Sequence, residues 1–94
     1  MAISGPKLIS VVMPTYNHAA FIGGAIGSVL AQSYSNFEII IVDNHSRDNT
    51  EAVVAAFKDP RIKYVKFSNN GVIAASRNHG IGLSRGEYVA FIDS

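Results

Sequence analysis

A chain of 94 residues, 48% hydrophobic and 16% charged, has room for one α/β-sized unit and none for a second. Its net charge of +1 comes from eight basic and seven acidic residues scattered along the sequence, without the Lys/Arg run that neutralises a phosphate backbone, so nucleic acid and acidic membrane surfaces are poor partners. With no cysteine there is no disulfide framework and no thiolate metal site, which fits a reducing compartment, the cytoplasm by default.

Residues 1–7, opening MAISG, read as a flexible lead, and the ordered unit is expected over 8–94. The apolar run LISVVMP at 8–14 is too short for a signal peptide and is ended by Pro14; no window approaches the ~18 apolar residues of a membrane span. It reads as a first strand over 8–13. Next, Phe21, Ile22, Ala25, Ile26, Val29 and Leu30 fall on one stripe of a helix reaching about Gln32. Gly23, Gly24 and Gly27 each weaken that helix by about 1 kcal/mol relative to Ala, for which tight packing on a sheet is the expected compensation. Residues 37–42 form a second strand. A second helix follows, with Asp48 expected to accept from the backbone near Glu51, Val53, Val54 and Phe57 facing inward, and Asp59 and Pro60 as its stop.

A third strand over 62–67 alternates Ile62, Tyr64 or Val65, and Phe67 with Lys63 and Lys66, which suits a place nearer a sheet edge. A third helix over 72–83 ends before the Gly86 signal, and a fourth strand covers 88–92. The first, second and fourth strands lack polar alternation, the pattern of strands covered on both faces. Strands alternating with helices predict βαβ units with right-handed crossovers, hence a Rossmann-like α/β fold with a mostly parallel sheet of about four strands.

In such sheets ligands bind beyond the carboxyl ends of the strands. After the first strand stand Pro14, Thr15, Tyr16, Asn17 and His18. Glycines would stand here in a dinucleotide or P-loop protein, yet the next is Gly23, within the helix. Tyr16 can stack on a base and Asn17 can cap the helix. After the second strand, Asp43 can accept from a nucleobase N–H or a ribose hydroxyl; equally, Asp43 to Asp48 can form only a turn and a cap. Arg77 can grip a diphosphate bidentately or pair with a surface carboxylate. Asp93, after the fourth strand, suits a ribose or a hard divalent cation.

Taken together, VVMPTYNHAAFIGGAIGSVLAQSYSNFEIIIVDNHSRDNT and NNGVIAASRNHGIGLSRGEYVAFIDS resemble glycosyltransferase family 2, whose members have the GT-A fold. The ordered motifs cover nearly all of 8–94 and correspond to the front, nucleotide-sugar-binding part of that fold. The resemblance implies a nucleotide diphosphate sugar, commonly UDP-linked, as donor, a hydroxyl acceptor, transfer with inversion, and a role in polysaccharide or glycoconjugate synthesis. By the same resemblance Pro14, Thr15 and Tyr16 line the base pocket, Asp43 bonds the base, Arg77 stands near the nucleotide, and Asp93 is the first acid of the family's Asp-x-Asp motif, touching ribose or metal. The family's Mg²⁺ or Mn²⁺ would neutralise the departing diphosphate while a carboxylate deprotonates the acceptor.

This sequence departs from the family at two places. Where many relatives have Asp-Asp-Gly-Ser, it has Asp43, Asn44, His45 and Ser46, one carboxylate fewer. The second acid of Asp-x-Asp would follow Ser94, and the acceptor half with its catalytic base is not in the 94 residues, so no catalytic residue is assigned and the isolated chain is expected to be inactive. The intact enzyme is expected in the cytoplasm or at the cytoplasmic face of a membrane. An open sheet edge and apolar helix faces are expected to draw copies of the chain together.

Blander readings compete at other positions. His18, His45 and His79 lie in three segments without helical metal spacing and read as caps and surface imidazoles. Gly80 and Gly82 read as close packing, and Glu87 as the solvated start of a strand. The rival class is a non-enzymatic module of response-regulator or flavodoxin type. A response regulator, however, needs paired acids after its first strand, where this chain has PTYN.

Overall fold

The computed structural model describes residues 7–93. The lead expected over 1–7 therefore lies, apart from Lys7, outside the described residues, as does Ser94. The strands β1 (Ile9–Thr15), β2 (Phe37–Asp43), β3 (Ile62–Lys66) and β4 (Tyr88–Phe91) alternate with the helices α1 (Ala19–Leu30), α2 (Thr50–Ala55) and α3 (Ile73–Leu83). They form one parallel sheet in the order β3-β2-β1-β4, with Val11 opposite both Ile39 and Ala90, and Ile41 opposite Tyr64. The chain starts in the middle, steps outward twice, then crosses back to the other side of β1. With right-handed crossovers, that reversal places α3 on the opposite face from α1 and α2.

Two apolar layers follow from this. Val11, Met13, Ile39 and Ile41 pack with Ile22, Ile26 and Val29 of α1 and Val54 of α2. On the other face Val12, Ile40 and Val42 pack with Val65, Phe67 and Val89. Every residue of β2 is buried, which is why its sequence shows no polar alternation. Each fully buried isoleucine contributes about 2 kcal/mol. β3 lies at an edge, as its lysines suggest.

Several expectations are corrected. β4 is not covered on both faces: among the described residues it pairs with β1 alone and leaves Tyr88, Ala90 and Phe91 exposed. The α1 stripe faces the core through Ile22, Ile26 and Val29, while Phe21 stands exposed and the helix ends at Leu30. Its glycines do not serve contact with the sheet. A Cβ on Gly23 would meet Val53 of α2 at 3.2 Å, whereas Gly24 and Gly27 face open space. β1 runs two residues further than its apolar pattern, through Pro14 to Thr15, because both still pair with β2.

Close packing does explain Gly80 but not Gly82, which meets nothing. A Cβ on Gly80 would lie 2.4 Å from Cγ1 of Val12, a fully buried branched side chain that cannot swing away. Gly80→Ala is therefore expected to push α3 off β1 and lower stability by about 2 kcal/mol in chemical denaturation. An unchanged midpoint would refute this account.

At the amino end of the sheet a buried carboxylate replaces apolar packing. Glu38 Oε2 accepts from the Ser10 hydroxyl at 2.6 Å and the Arg85 N–H at 2.7 Å, and Oε1 accepts from Lys63 Nζ at 2.9 Å. The Ser10 hydroxyl in turn accepts from the Gly86 N–H at 2.8 Å. The α3–β4 connection is thereby fastened to β1 and β2.

Candidate functional site

The connection after β1 bends through Asn17, which has φ 47, a conformation Asn tolerates better than most residues. Asn17 does not cap α1. Its N–H donates to Ser46 Oγ at 2.8 Å and its Oδ1 accepts the Arg47 N–H at 2.6 Å. The first helical amide, Ala19, donates instead to Asp48 Oδ2 at 3.1 Å, so α1 is capped from the loop after β2. Asp48 Oδ1 accepts from the Thr50 hydroxyl at 2.5 Å and, as expected of the backbone near Glu51, from the Thr50 N–H at 3.0 Å. These bonds, that of the Thr50 hydroxyl foremost, hold the Asp48 carboxyl below its ordinary range. Two loops far apart in sequence thus form one rigid lip.

Asp43 lies beneath that lip, 1% exposed and opposite Thr15 in the sheet register. Its Oδ1 accepts the Ser46 N–H at 2.9 Å and the Ser46 hydroxyl at 2.5 Å, and its Oδ2 accepts the Tyr64 hydroxyl. The turn reading of Asp43 is realised in these bonds, and among the described residues they fill three of the carboxylate's about four acceptor positions. Burial, then the bond and charge of Asp43, push the Tyr64 phenol above its ordinary range, so it remains a donor at physiological pH.

The sheet order reverses at β1, between β2 and β4, and a cleft of about 130 Å³ opens beside the carboxyl ends of β1 and β4. Pro14, Thr15, Tyr16 and Asp93 line it, together with Asn69 and Ile73. Tyr16 is half exposed, its ring available for stacking. Thr15 Oγ1 is buried and has no hydrogen-bond partner among the described residues, a polar atom beside the cleft. Arg77 projects from α3 and donates to Asp93 Oδ2 at 2.6 Å, joining the two late candidates at the rim. Of the six residues singled out from the sequence, four line the cleft, Arg77 reaches it through Asp93, and Asp43 is buried beside Thr15 in the sheet register, outside the lining.

Asn69, Ile73 and Tyr64 escaped the sequence reading. Asn69 donates to Ser76 Oγ at 2.8 Å and accepts the Gly71 N–H at 2.8 Å, closing a turn in which Asn70 and Gly71 have φ 54 and 80. The Asn-Asn-Gly triplet signals that turn, but nothing local says that it borders the cleft.

A divalent cation finds a single carboxylate here. Among the described residues no three His, Cys, Asp or Glu side chains come together, and Asp93 is already paired with a guanidinium. These residues do not make a cation site by themselves. The histidines stand apart: His18 stacks on Phe21 at 5.0 Å, His79 on Phe67 at 4.2 Å, and His45 occupies a turn at φ 53.

Residues 10–94 match the family model described as Glycosyl transferase family 2. A curated relative, UDP-Glc:alpha-D-GlcNAc-diphosphoundecaprenol beta-1,3-glucosyltransferase WfgD of Escherichia coli, is 39% identical over 87 residues, 93% of this chain and 34% of that protein. The structure of S. aureus TarS in complex with UDP superposes with a TM-score of 0.85 at 31% identity, over 92% of this chain and 27% of that one. Mannosyltransferase PcManGT from Pyrobaculum calidifontis, in complex with GDP-Man and Mn²⁺, superposes with a TM-score of 0.82 at 27% identity, over 90% of this chain and 26% of that one. The chain spans about a third or less of the length of these proteins.

Proposed function

This chain belongs to glycosyltransferase family 2 and has the GT-A fold, and on that premise we propose that it holds the nucleoside diphosphate end of a sugar donor, UDP-linked, for transfer to a hydroxyl acceptor. Transfer itself, with inversion and in polysaccharide or glycoconjugate synthesis, is proposed for the whole protein, of which such a stretch supplies the donor side. Tyr16 stacks on the base, Pro14 and Thr15 flank it, and Asp43 accepts its ring N–H. Arg77 and Asp93 meet ribose and diphosphate. The observation that carries this reading is the meeting of Pro14, Thr15, Tyr16 and Asp93 around one cleft where the sheet order reverses, with Arg77 bonded to Asp93.

The cation, Mn²⁺ or Mg²⁺, is proposed for the whole protein, with Asp93 as the carboxylate contributed here. The mannosyltransferase above supports it by holding Mn²⁺. No helix among the described residues is long and apolar enough to cross a membrane. We assign the enzyme to the cytoplasm or the cytoplasmic face of a membrane, in keeping with the absence of cysteine. The rival of a non-enzymatic interaction module is displaced by the family match.

The test is calorimetric titration of UDP into the chain, with and without Mn²⁺. Tyr16→Ala is expected to weaken binding about tenfold through lost stacking, and Asp43→Ala by about fivefold to tenfold through a lost hydrogen bond. No heat at millimolar UDP in a folded sample would overturn the proposal for this chain.

A further inference from the structure

A carboxylate offers about four lone-pair positions, and in Asp43 three are filled by donors among the described residues: two on Oδ1 by Ser46 and one on Oδ2 by Tyr64. The terminal torsion of an aspartate is broad and roughly two-fold, so the residue alone does not set the plane of its oxygens. Donors on both oxygens do. We infer that Tyr64 is a positioning residue for base recognition: its hydroxyl fixes Asp43 Oδ2 so that one acceptor position on that oxygen is presented to the ring N–H of a uracil-type base. The inference rests on the nucleotide-binding reading above.

Tyr64 is suited to the task. It lies on β3 opposite Ile41, and its ring packs against the apolar layer shared by the sheet, α1 and α2, so the hydroxyl is delivered by a side chain with little freedom. The other oxygen is held by Ser46, whose hydroxyl also receives the Asn17 N–H next to Tyr16. The carboxylate plane is thus tied to the backbone that carries the stacking ring. A base wedged by Tyr16 meets an acceptor whose direction is already set, and the free energy of ordering it is not drawn from binding.

The discriminating measurement is the ratio of affinities for UDP and CDP, because uracil N3 donates a proton where cytosine N3 is an acceptor. The parent chain is expected to favour UDP. Tyr64→Phe removes one oxygen and keeps the ring; it is expected to weaken UDP about fivefold while leaving CDP nearly unchanged, so the ratio falls. General damage would weaken both nucleotides alike and leave the ratio intact. Asp43→Asn, which presents a donor to cytosine N3, is expected to erase the preference.

If Asp43→Asn erases the preference and a folded Tyr64→Phe retains it, the positioning role is overturned and the nucleotide reading stands. If Asp43→Asn leaves the ratio untouched, or the parent shows no preference, the reading of Asp43 as the base acceptor falls and takes the inference with it. A Tyr64→Phe chain that does not fold, judged by circular dichroism, makes the hydroxyl a structural group and also overturns it.

Discussion

Gly86→Ala is expected to lower the stability of the chain by about 3 kcal/mol and its Tm by roughly 10–20 °C. A Cβ at this position would lie 2.6 Å from Ser10 Oγ, 2.7 Å from Ser10 N and 2.8 Å from the Leu8 carbonyl oxygen. Two of those atoms are backbone, one in β1 and one in the residue leading into it, so no rotamer change relieves the contact. The methyl group would enter where β4 begins to pair with β1, next to the Glu87 N–H that donates to the Leu8 carbonyl at 2.8 Å. Yielding therefore means separating the strands, and with them the register that brings Asp93 to the cleft. A thermal melt followed by circular dichroism checks this. A Tm within a degree or two of the parent would show that β4 docks without the close approach described.

Glu38→Ala is expected to lower stability by a similar amount, about 3 kcal/mol, because it strands the buried Ser10 hydroxyl and takes the acceptor from the part-buried Arg85 N–H. Lys63 is partly exposed and loses less, since water can replace its partner. The same carboxylate predicts a pH dependence. Burial by itself would raise its pKa, but the hydrogen bonds from Ser10, Arg85 and Lys63, with the charge of Lys63, overcome that and hold it at about 2, against an ordinary value of 4.5. A group whose pKa is lower folded than unfolded stabilises the fold above its unfolded value. Glu38 thus contributes fully above about pH 4.5, and its contribution is lost progressively as pH falls toward about 2. Urea denaturation between pH 3 and pH 7 is expected to show a steeper acid decline in the parent than in Glu38→Gln. Parallel curves would assign the acid sensitivity to other carboxylates.

Both positions bear on what a sequence can disclose. Glu38 lies within an otherwise apolar run that reads simply as a buried strand, which it is. The reason a charge is tolerated there, donors from Ser10, Lys63 and Arg85, comes from three other segments. Gly86 reads in the sequence as a helix stop. Its role lies 76 residues away, against Ser10, and no local pattern encodes a contact of that span. The glycines of α1 suggest packing on the sheet, since a poor helix former needs compensation, yet of the three only Gly23 is closely packed, and against α2.

The sequence by itself determined the order of strands and helices, the residues at each strand end and the family, because these depend on side-chain periodicity and on motifs within single loops. Pro14, Thr15, Tyr16 and Asp93 could be named as neighbours in a site since each follows a strand, and parallel strands deliver their carboxyl ends to one side of a sheet. Only the tertiary structure decided that β4 is an edge, that Arg77 grips Asp93, that α1 is capped by Asp48 and that Oδ2 of Asp43 is held by Tyr64. Each of these is a meeting of groups on different elements. Its geometry is set by sheet register and by the faces on which the helices pack, quantities that no window of sequence contains.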